Sequence, residues 1–247
     1  MSKRFENENV IITGAAVGIG RATAIRFAEE GANLILVDLN NDKLQLVKEE
    51  TEKFGVKVVT FALDVSNEKA VNEAISAVEK EFGKIDILIN NAALWRCWQP
   101  FVDTHTEDWR RFFDVNVMGT VYFTKSVLGG MINNGYGRII NVASVAGVYG
   151  NANMTHYSAT KGAIISFTKA LAKEVADKGI TVNAVSPGSV SPSENGDIDY
   201  FKPSELAFMG RTGTDRENAD LILFLSSHEA AYISAQNIQI DGCRKQI

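Results

Sequence analysis

The fold is decided by residues 9–31, which read N-V-I-I-T-G-A-A-V-G-I-G-R-A-T-A-I-R-F-A-E-E-G. The run at 9–13 is apolar and rich in β-branched residues, which is typical of a buried strand. Residues 21–31 carry apolar side chains at helical spacing and end at a glycine, which indicates a helix. A glycine-rich turn therefore joins a strand to a helix.

This turn is typical of a binding site for a dinucleotide. Glycines in such a turn permit a tight bend and let backbone N–H groups approach a pyrophosphate at the helix N-terminus. A glycine-rich turn without a ligand is the alternative. We predict that the cofactor-binding residues of the turn are Gly14, Val17, Gly18, Ile19 and Gly20.

A second strand, N-L-I-L-V, leads to Asp38, about twenty residues past the glycines. A carboxylate there can accept hydrogen bonds from the ribose hydroxyls of a dinucleotide and would repel a 2′-phosphate. Val17 and Leu39 supply no arginine for such a phosphate. The pattern predicts NAD rather than NADP, although Asp38 could instead cap the next helix, as could Asn40.

The alternation of strands and helices continues along the chain. It predicts a doubly wound parallel sheet of about seven strands, in one domain spanning residues 1–247. Further strands are predicted at 56–63, 85–89, 138–143, 180–185 and 237–242. Further helices are predicted at 41–54, 67–82, 106–131, 157–178 and 215–227, with a short one near 203–208.

Composition disfavours several classes of protein. The net charge is −5 and no basic run occurs, which disfavours nucleic acid as a partner. No apolar run approaches the ~18–20 residues that span a membrane, and the N-terminus lacks an apolar signal core. Cys97, Cys243 and three histidines show no metal-ligand spacing. We predict a soluble, cytoplasmic protein without a metal site.

A second stretch carries the candidate catalytic groups Ser144, Tyr157 and Lys161. On a helix, Tyr157 and Lys161 would share one face. A nearby cation lowers the pKa of a phenol from ~10, so that it can pass a proton to or from a substrate oxygen. Ser144 follows an apolar run, at the strand end where open α/β sheets place ligands. The alternative is an ordinary surface contact, because Y-x-x-x-K occurs often by chance.

Several motifs together resemble the classical short-chain dehydrogenase/reductase family. They are T-G-A-A-V-G-I-G at 13–20, the acidic residue at 38, D-V at 64–65, N-N-A-A at 90–93, Ser144 and Y-S-A-T-K at 157–161. The resemblance implies a Rossmann-type fold of three α/β/α layers and hydride transfer between a nicotinamide cofactor and a secondary alcohol or ketone, with Tyr157 as acid/base. It also implies a homotetramer or homodimer.

The resemblance assigns further residues. Asn116 would hold a water beside Lys161 and complete a proton relay, or else be a packing asparagine. Pro192 stands where threonine is usual, and Ser191 or Ser193 could replace it. Beyond the glycine turn and Asp38, the implied cofactor-binding residues are Asp64, Val65, Asn91, Tyr157, Lys161, Gly188 and Val190.

The substrate is not indicated. Residues 193–214 would form a substrate lid, and Trp95 and Trp98 either wall a pocket or fix a loop. A 3-ketoacyl carrier-protein reductase would need NADP and a basic patch for an acidic carrier, and it is disfavoured by Asp38 and by Gly129-Gly130 in the predicted helix 106–131. A non-catalytic dinucleotide-binding regulatory protein is disfavoured by the intact set of catalytic residues.

Overall fold

A seven-stranded parallel sheet forms the centre of the molecule. The computed structural model describes residues 3–96, 98–191 and 196–245. The strand order is β3-β2-β1-β4-β5-β6-β7, and every neighbouring pair is parallel. The predicted doubly wound sheet is confirmed. Its strands are β1 (Asn9–Thr13), β2 (Asn33–Asp38), β3 (Val58–Ala62), β4 (Ile87–Asn90), β5 (Gly137–Val142), β6 (Ile180–Pro187) and β7 (Asn237–Ile240).

Helices cover both faces of the sheet. One buried cluster joins the sheet to α1, α2 and α8, and the other joins it to α3, α5 and α7. The helices are α1 (Gly18–Glu29), α2 (Asn41–Glu52), α3 (Glu68–Phe82), α4 (Thr106–Phe113), α5 (Gly119–Asn134), α6 (Ala146–Tyr149), α7 (Thr155–Val175) and α8 (Asp215–Ser226).

Burial on both faces explains why the strands are apolar throughout. In β1, Val10 and Ile12 belong to the cluster on one face, and Ile11 belongs to the cluster on the other. Successive residues of a strand point to opposite faces, so a strand covered by helices on both sides carries no polar alternation. This is the reason that the strand positions could be predicted from short apolar runs.

Two predicted helices differ from the structure. The predicted helix 106–131 is divided into α4 and α5 by a π-helical turn at Asp114–Met118. The predicted helix near 203–208 is wrong. There, Pro203 forms an isolated bridge with Arg211, and Ala207 forms one with Arg244, so this segment pairs with other segments instead of coiling.

None of the described helices is both long and apolar enough to cross a membrane.

Gly20 is a point where the fold excludes a side chain. A Cβ at Gly20 would lie 2.0 Å from the Gly14 carbonyl oxygen and 2.6 Å from Asn91 Nδ2. We expect Gly20→Ala to lower the free energy of unfolding by about 2–4 kcal/mol, since backbone must move. The control is Gly129→Ala in α5, where a Cβ meets nothing within 4 Å. Urea unfolding should show the control unchanged or stabilised by up to ~1 kcal/mol; equal stability of Gly20→Ala and wild type would contradict the packing.

Candidate active site

The carboxyl ends of β1, β4 and β5 carry the glycine turn, Asn91 and Ser144. The sheet extends from β1 through β2 to β3 on one side, and from β4 through β7 on the other. The chain therefore reverses its direction of winding between β1 and β4. In open parallel sheets, a crevice for ligands forms outside the strands at such a point.

The turn after β1 is held against the end of β4 by a cluster of hydrogen bonds. The Thr13 hydroxyl accepts bonds from the N–H groups of Asn91 and Ala92, at 3.0 and 3.1 Å. The side-chain amide of Asn91 donates to the carbonyl oxygens of Thr13 and Gly14, both at 3.0 Å. Asn91 thus fixes the position of the glycine turn from the neighbouring strand.

The geometry of the turn fits a diphosphate. Gly14 and Gly18 have φ angles of 64° and 58°, which glycine adopts without strain. Val17 precedes α1 and offers no side chain to cap it, so the first N–H groups of the helix are not capped by that residue. Uncapped N–H groups at a helix N-terminus bind anions favourably. Together with Ile19 and Gly20, these residues are suited to hold the diphosphate of a dinucleotide.

Asp38 faces this turn from the end of β2. Its carboxylate accepts hydrogen bonds from the N–H groups of Ala16, at 3.0 Å, and Asn40, at 2.9 Å. The cap of α2 is Asn40, whose side chain accepts from Lys43 N–H, and not Asp38. The side chain of Leu39 is exposed. The carboxylate is therefore at the glycine turn, as the dinucleotide interpretation requires.

Arg21 lies close to this turn but is already engaged. Its guanidinium makes two bonds to Glu50, at 3.0 and 2.7 Å, and a third to the Gly196 carbonyl oxygen, at 2.7 Å. A side chain held by these three bonds is positioned to join α1, α2 and the segment around Gly196. This role could not be predicted from local pattern, since Glu50 and Gly196 are remote from Arg21 along the chain.

Four further predicted cofactor residues have structural contacts of their own. Asp64 is exposed, and its carboxylate accepts from the N–H and hydroxyl of Ser66. The positions of the others are set by close packing and backbone pairing: Val65 is buried against Gly119, Gly188 N–H donates to the Ile240 carbonyl, and Val190 pairs with Gly213.

The contacts of Ser191 bear on whether it could replace the threonine that is usual at position 192. The Ser191 hydroxyl lies 3.1 Å from the Thr212 hydroxyl and is buried with it. Ser191 is thus engaged in holding the segment near Thr212. Pro192 and Ser193 lie outside the described residues.

Ser144, Tyr157 and Lys161 are brought together by the packing of α6 on α7. A Cβ at Gly147 in α6 would lie 2.5 Å from the Lys161 carbonyl carbon, so only glycine allows this approach. The Ser144 hydroxyl accepts from Ala146 N–H, at 3.1 Å, and lies near enough to the Tyr157 phenol to affect its pKa. A proton-passing phenol and a hydroxyl that can orient a substrate oxygen are therefore adjacent.

Lys161 is 3% exposed, and its ammonium donates to the Val142 carbonyl oxygen at 2.6 Å. Burial lowers the pKa of Lys161 to about 8. The Nζ atom lies 5.8 Å from the centre of the Tyr157 ring. The end of β5 thus positions the lysine beneath the phenol, in an environment with little water.

The net shift in the pKa of Tyr157 is opposite to the one that the spacing of Tyr157 and Lys161 predicts. Burial raises the pKa of Tyr157 above its usual value, and the nearby Ser144 hydroxyl opposes that rise. Two features of the geometry agree with this direction: the phenol is partly buried, and the Lys161 ammonium is directed at the Val142 carbonyl oxygen. The Tyr157 phenol is therefore neutral at pH 7.

Asn116 is buried within the π-helical turn and braces the site. Its side-chain oxygen accepts from Leu94 N–H at 2.7 Å, and its amide donates to the Leu94 carbonyl at 2.9 Å and the Thr160 hydroxyl at 3.1 Å. These bonds tie the segment after β4 to α7, next to Lys161. The predicted role in a water relay is not tested by these contacts.

The surroundings of the site carry exposed aromatic side chains. Trp95 and Trp98 are both exposed, and the Arg96 guanidinium lies 5.1 Å from the Trp95 ring centre. Large exposed rings that follow β4 are consistent with a wall of a substrate pocket. In the part of the chain that the structure describes, which omits Cys97, no cluster of three or more His, Cys, Asp or Glu could hold a metal ion.

The fold and the site together define a nicotinamide-dependent oxidoreductase. A family model described as enoyl-(acyl carrier protein) reductase matches residues 14–243. The chain belongs to the classical short-chain dehydrogenase/reductase family, as the motifs predicted.

Similar proteins differ in the substrate that their names state. The chain is 39% identical over 243 residues to a 3-oxoacyl-acyl-carrier-protein reductase, FabG, of Thermotoga maritima, covering 97% of this chain and 98% of the relative. It is 36% identical to a 2-dehydro-3-deoxy-L-rhamnonate dehydrogenase (NAD(+)) of Sphingomonas sp., covering 98% and 96%. A solved NAD+-bound xylitol dehydrogenase is 34% identical, with a TM-score of 0.91 over 97% of this chain and all of the other.

The buried lysine should reduce the stability of the unliganded protein. Its pKa is about 8 when folded and ordinarily 10.5, so folding disfavours the ammonium. This destabilising free energy has its full value below pH 8 and diminishes as the pH rises towards 10.5. We expect Lys161→Met to raise the free energy of unfolding at pH 7 by about 1–3 kcal/mol. This figure already allows for the lost hydrogen bond to the Val142 carbonyl.

The measurement is the free energy of unfolding of wild type and variant from pH 7 to 10. The stability difference should shrink as the pH rises. Lys173→Met, at an exposed position of the same helix, is the control and should show no such trend. A Lys161→Met protein that is less stable than wild type at every pH would contradict this account.

Proposed function

We propose that this protein is an NAD-dependent oxidoreductase that transfers a hydride between the cofactor and a secondary alcohol or ketone. The observation that carries the proposal is the convergence of Ser144, Tyr157 and Lys161 beside the glycine turn. No part of the site alone requires this chemistry, but a dinucleotide-binding turn next to a buried phenol–serine–lysine cluster suits it.

The residues have separate tasks in this mechanism. The nicotinamide, when bound, supplies or accepts the hydride. The Ser144 hydroxyl orients the reacting oxygen, and Tyr157 passes a proton to that oxygen in reduction or removes it in oxidation. Burial favours the neutral phenol, which carries the proton that is donated in reduction. Lys161 keeps a positive charge close to the phenol and favours the phenolate during oxidation.

A short-chain reductase of 3-oxoacyl groups on a carrier protein is the second candidate. It is supported by the name of the Thermotoga maritima relative. Asp38 opposes it, because such a reductase is expected to use NADP, and so does the net charge of −5, because an acidic carrier needs a basic surface. Initial rates with a 3-oxoacyl thioester and with a panel of alcohols and ketones, each with both dinucleotides, separate the two candidates. A preference for the thioester with NADP would refute our first choice.

Tyr157 should be essential to turnover. Tyr157→Phe keeps the ring and removes the group that passes the proton, so kcat should fall by at least ~100-fold. Tyr232→Phe, at a fully exposed position outside the site, is the matched control and should leave kcat unchanged. The measurement is the rate of NADH formation or loss at saturating substrate. Near-normal turnover of Tyr157→Phe would exclude the proposed acid/base.

Asp38 should set the choice of dinucleotide. Its carboxylate can accept charge-assisted bonds from the ribose hydroxyls of NAD, and it would repel a 2′-phosphate. We expect the native enzyme to prefer NAD over NADP by at least ~50-fold, which is about 2.3 kcal/mol. Asp38→Ser should reduce that preference, mainly by weakening the binding of NAD.

The ratio of kcat/KM for the two cofactors measures this preference before and after the substitution. Asp42→Ser, at an exposed position in the first turn of α2, removes a nearby carboxylate and should leave the ratio unchanged. A native preference for NADP would show that Asp38 has been misinterpreted.

We also propose that residues 193–214 act as the lid of a one-domain enzyme. Residues 193–195 lie outside the described residues. The rest is anchored at several points: Arg21 to Gly196, Arg216 N–H to Ile198, and Thr212 N–H to Lys202. Anchored ends with an intervening irregular segment are suited to a lid. Hydrogen exchange of the segment should slow when dinucleotide and substrate are both bound, and equal protection in both states would indicate a fixed wall.

We propose a homotetramer or homodimer in the cytoplasm, with α5 and α7 at the subunit interface. Light scattering of the purified protein measures the assembly, and a monomer at micromolar concentration would refute it.

A further inference from the structure

A buried carboxyl group lies beside the glycine turn and has no part in the mechanism above. Asp215 is the first residue of α8, and it is 7% exposed. Helix α8 packs on α1, where Ala219 contacts Ala22 and Ile25 in a small buried cluster. A Cβ built on Gly18 would lie 3.7 Å from Asp215 Oδ1. The carboxyl group therefore faces the N-terminus of α1.

Asp215 has no hydrogen-bond donor of its own among the described residues. The neighbouring cap of α8 is made by Thr214 and Glu217, which bond each other's N–H groups. The charged group that acts on Asp215 is Arg21 of α1, but its guanidinium is bonded to Glu50 of α2 and to Gly196. A buried carboxyl without a donor is costly to keep ionised.

The other charged side chains nearby are paired. On α8, Arg216 forms an ion pair with Asp199, and Glu217 forms one with Arg211. Burial accordingly raises the pKa of Asp215 to about 6, although Arg21 opposes the rise. The group is therefore mostly ionised at pH 7 but lies close to its point of protonation.

We infer that Asp215 takes up a proton when a dinucleotide binds, and so makes cofactor affinity depend on pH. The inference rests on the proposed placement of the diphosphate at the N-terminus of α1. A diphosphate brings negative charge next to a carboxylate in a place with little water, which raises the carboxyl pKa further. Protonation removes that repulsion, and the carboxyl group then has an O–H that can donate a hydrogen bond.

The sign of the effect follows from linkage. The carboxyl pKa is about 6 in the free protein and higher in the complex. Affinity is therefore greatest below pH 6, falls between the two pKa values, and levels off above them. For a shift of about one pKa unit, we expect the affinity for NAD to fall by roughly fivefold from pH 6 to pH 8, and by roughly tenfold between the low-pH and high-pH limits.

Calorimetric titration of the full-length protein with NAD tests this inference without any assay of turnover. Binding at pH 6.5 in two buffers of different ionisation heat should show uptake of a fraction of a proton. Asp215→Asn keeps the shape of the side chain and cannot titrate. It should show less uptake, a flatter pH profile, and an affinity at pH 8 that is roughly tenfold higher than that of wild type.

Two controls make the test specific. Asp220→Asn, at an exposed position of α8 that pairs with Arg26, should behave as wild type. Adenosine lacks the diphosphate, so its binding should be independent of Asp215. The same pH profile and proton uptake in wild type and Asp215→Asn would overturn the inference while leaving the dinucleotide site in place. Failure of the wild type to bind NAD or NADP would overturn both.

Discussion

The geometry of the site depends on the hydrogen bonds between Thr13 and Asn91. They join the ends of β1 and β4, the two strands between which the winding of the sheet reverses. One side chain from each strand bonds the backbone of the other, so the glycine turn cannot move independently of β4. Gly20 completes this arrangement, because any side chain there would displace the Gly14 carbonyl. The dinucleotide turn is thereby fixed relative to the segment that leads to the catalytic groups.

Much of this architecture was predictable because a strand buried on both faces is apolar along its whole length. The sequence placed all seven strands, the glycine turn and the pair Tyr157–Lys161, since each depends on local pattern or spacing. The divided helix was not predictable in the same way. Residues 106–131 have helical character throughout, and the π-helical turn coincides with contacts that Asn116 makes to Leu94 and Thr160, which are remote in sequence.

Electrostatics was the least predictable property of the site. The spacing of Tyr157 and Lys161 indicated that they are neighbours, but burial and not proximity decides the direction in which the phenol's pKa moves. Asp215 was missed because an acidic residue in the first turn of a helix is ordinarily a surface residue that interacts with the helix dipole. Two buried ionisable groups, Lys161 and Asp215, thus lie beside the proposed cofactor site. Neither forms an ion pair with a described residue, and such groups concentrate at functional sites.

The π-helical turn at Asp114–Met118 has a consequence for how this chain can vary in length. A π turn holds one residue more than an α-helical turn, so deletion of a single residue there would let α4 and α5 become one regular helix. Each residue of an α-helix turns the chain by about 100°. The deletion would therefore rotate the face of α4, carrying Trp109 and Phe112 away from His156 on α7. A gain in helical regularity would thus separate two helices that now meet through aromatic rings.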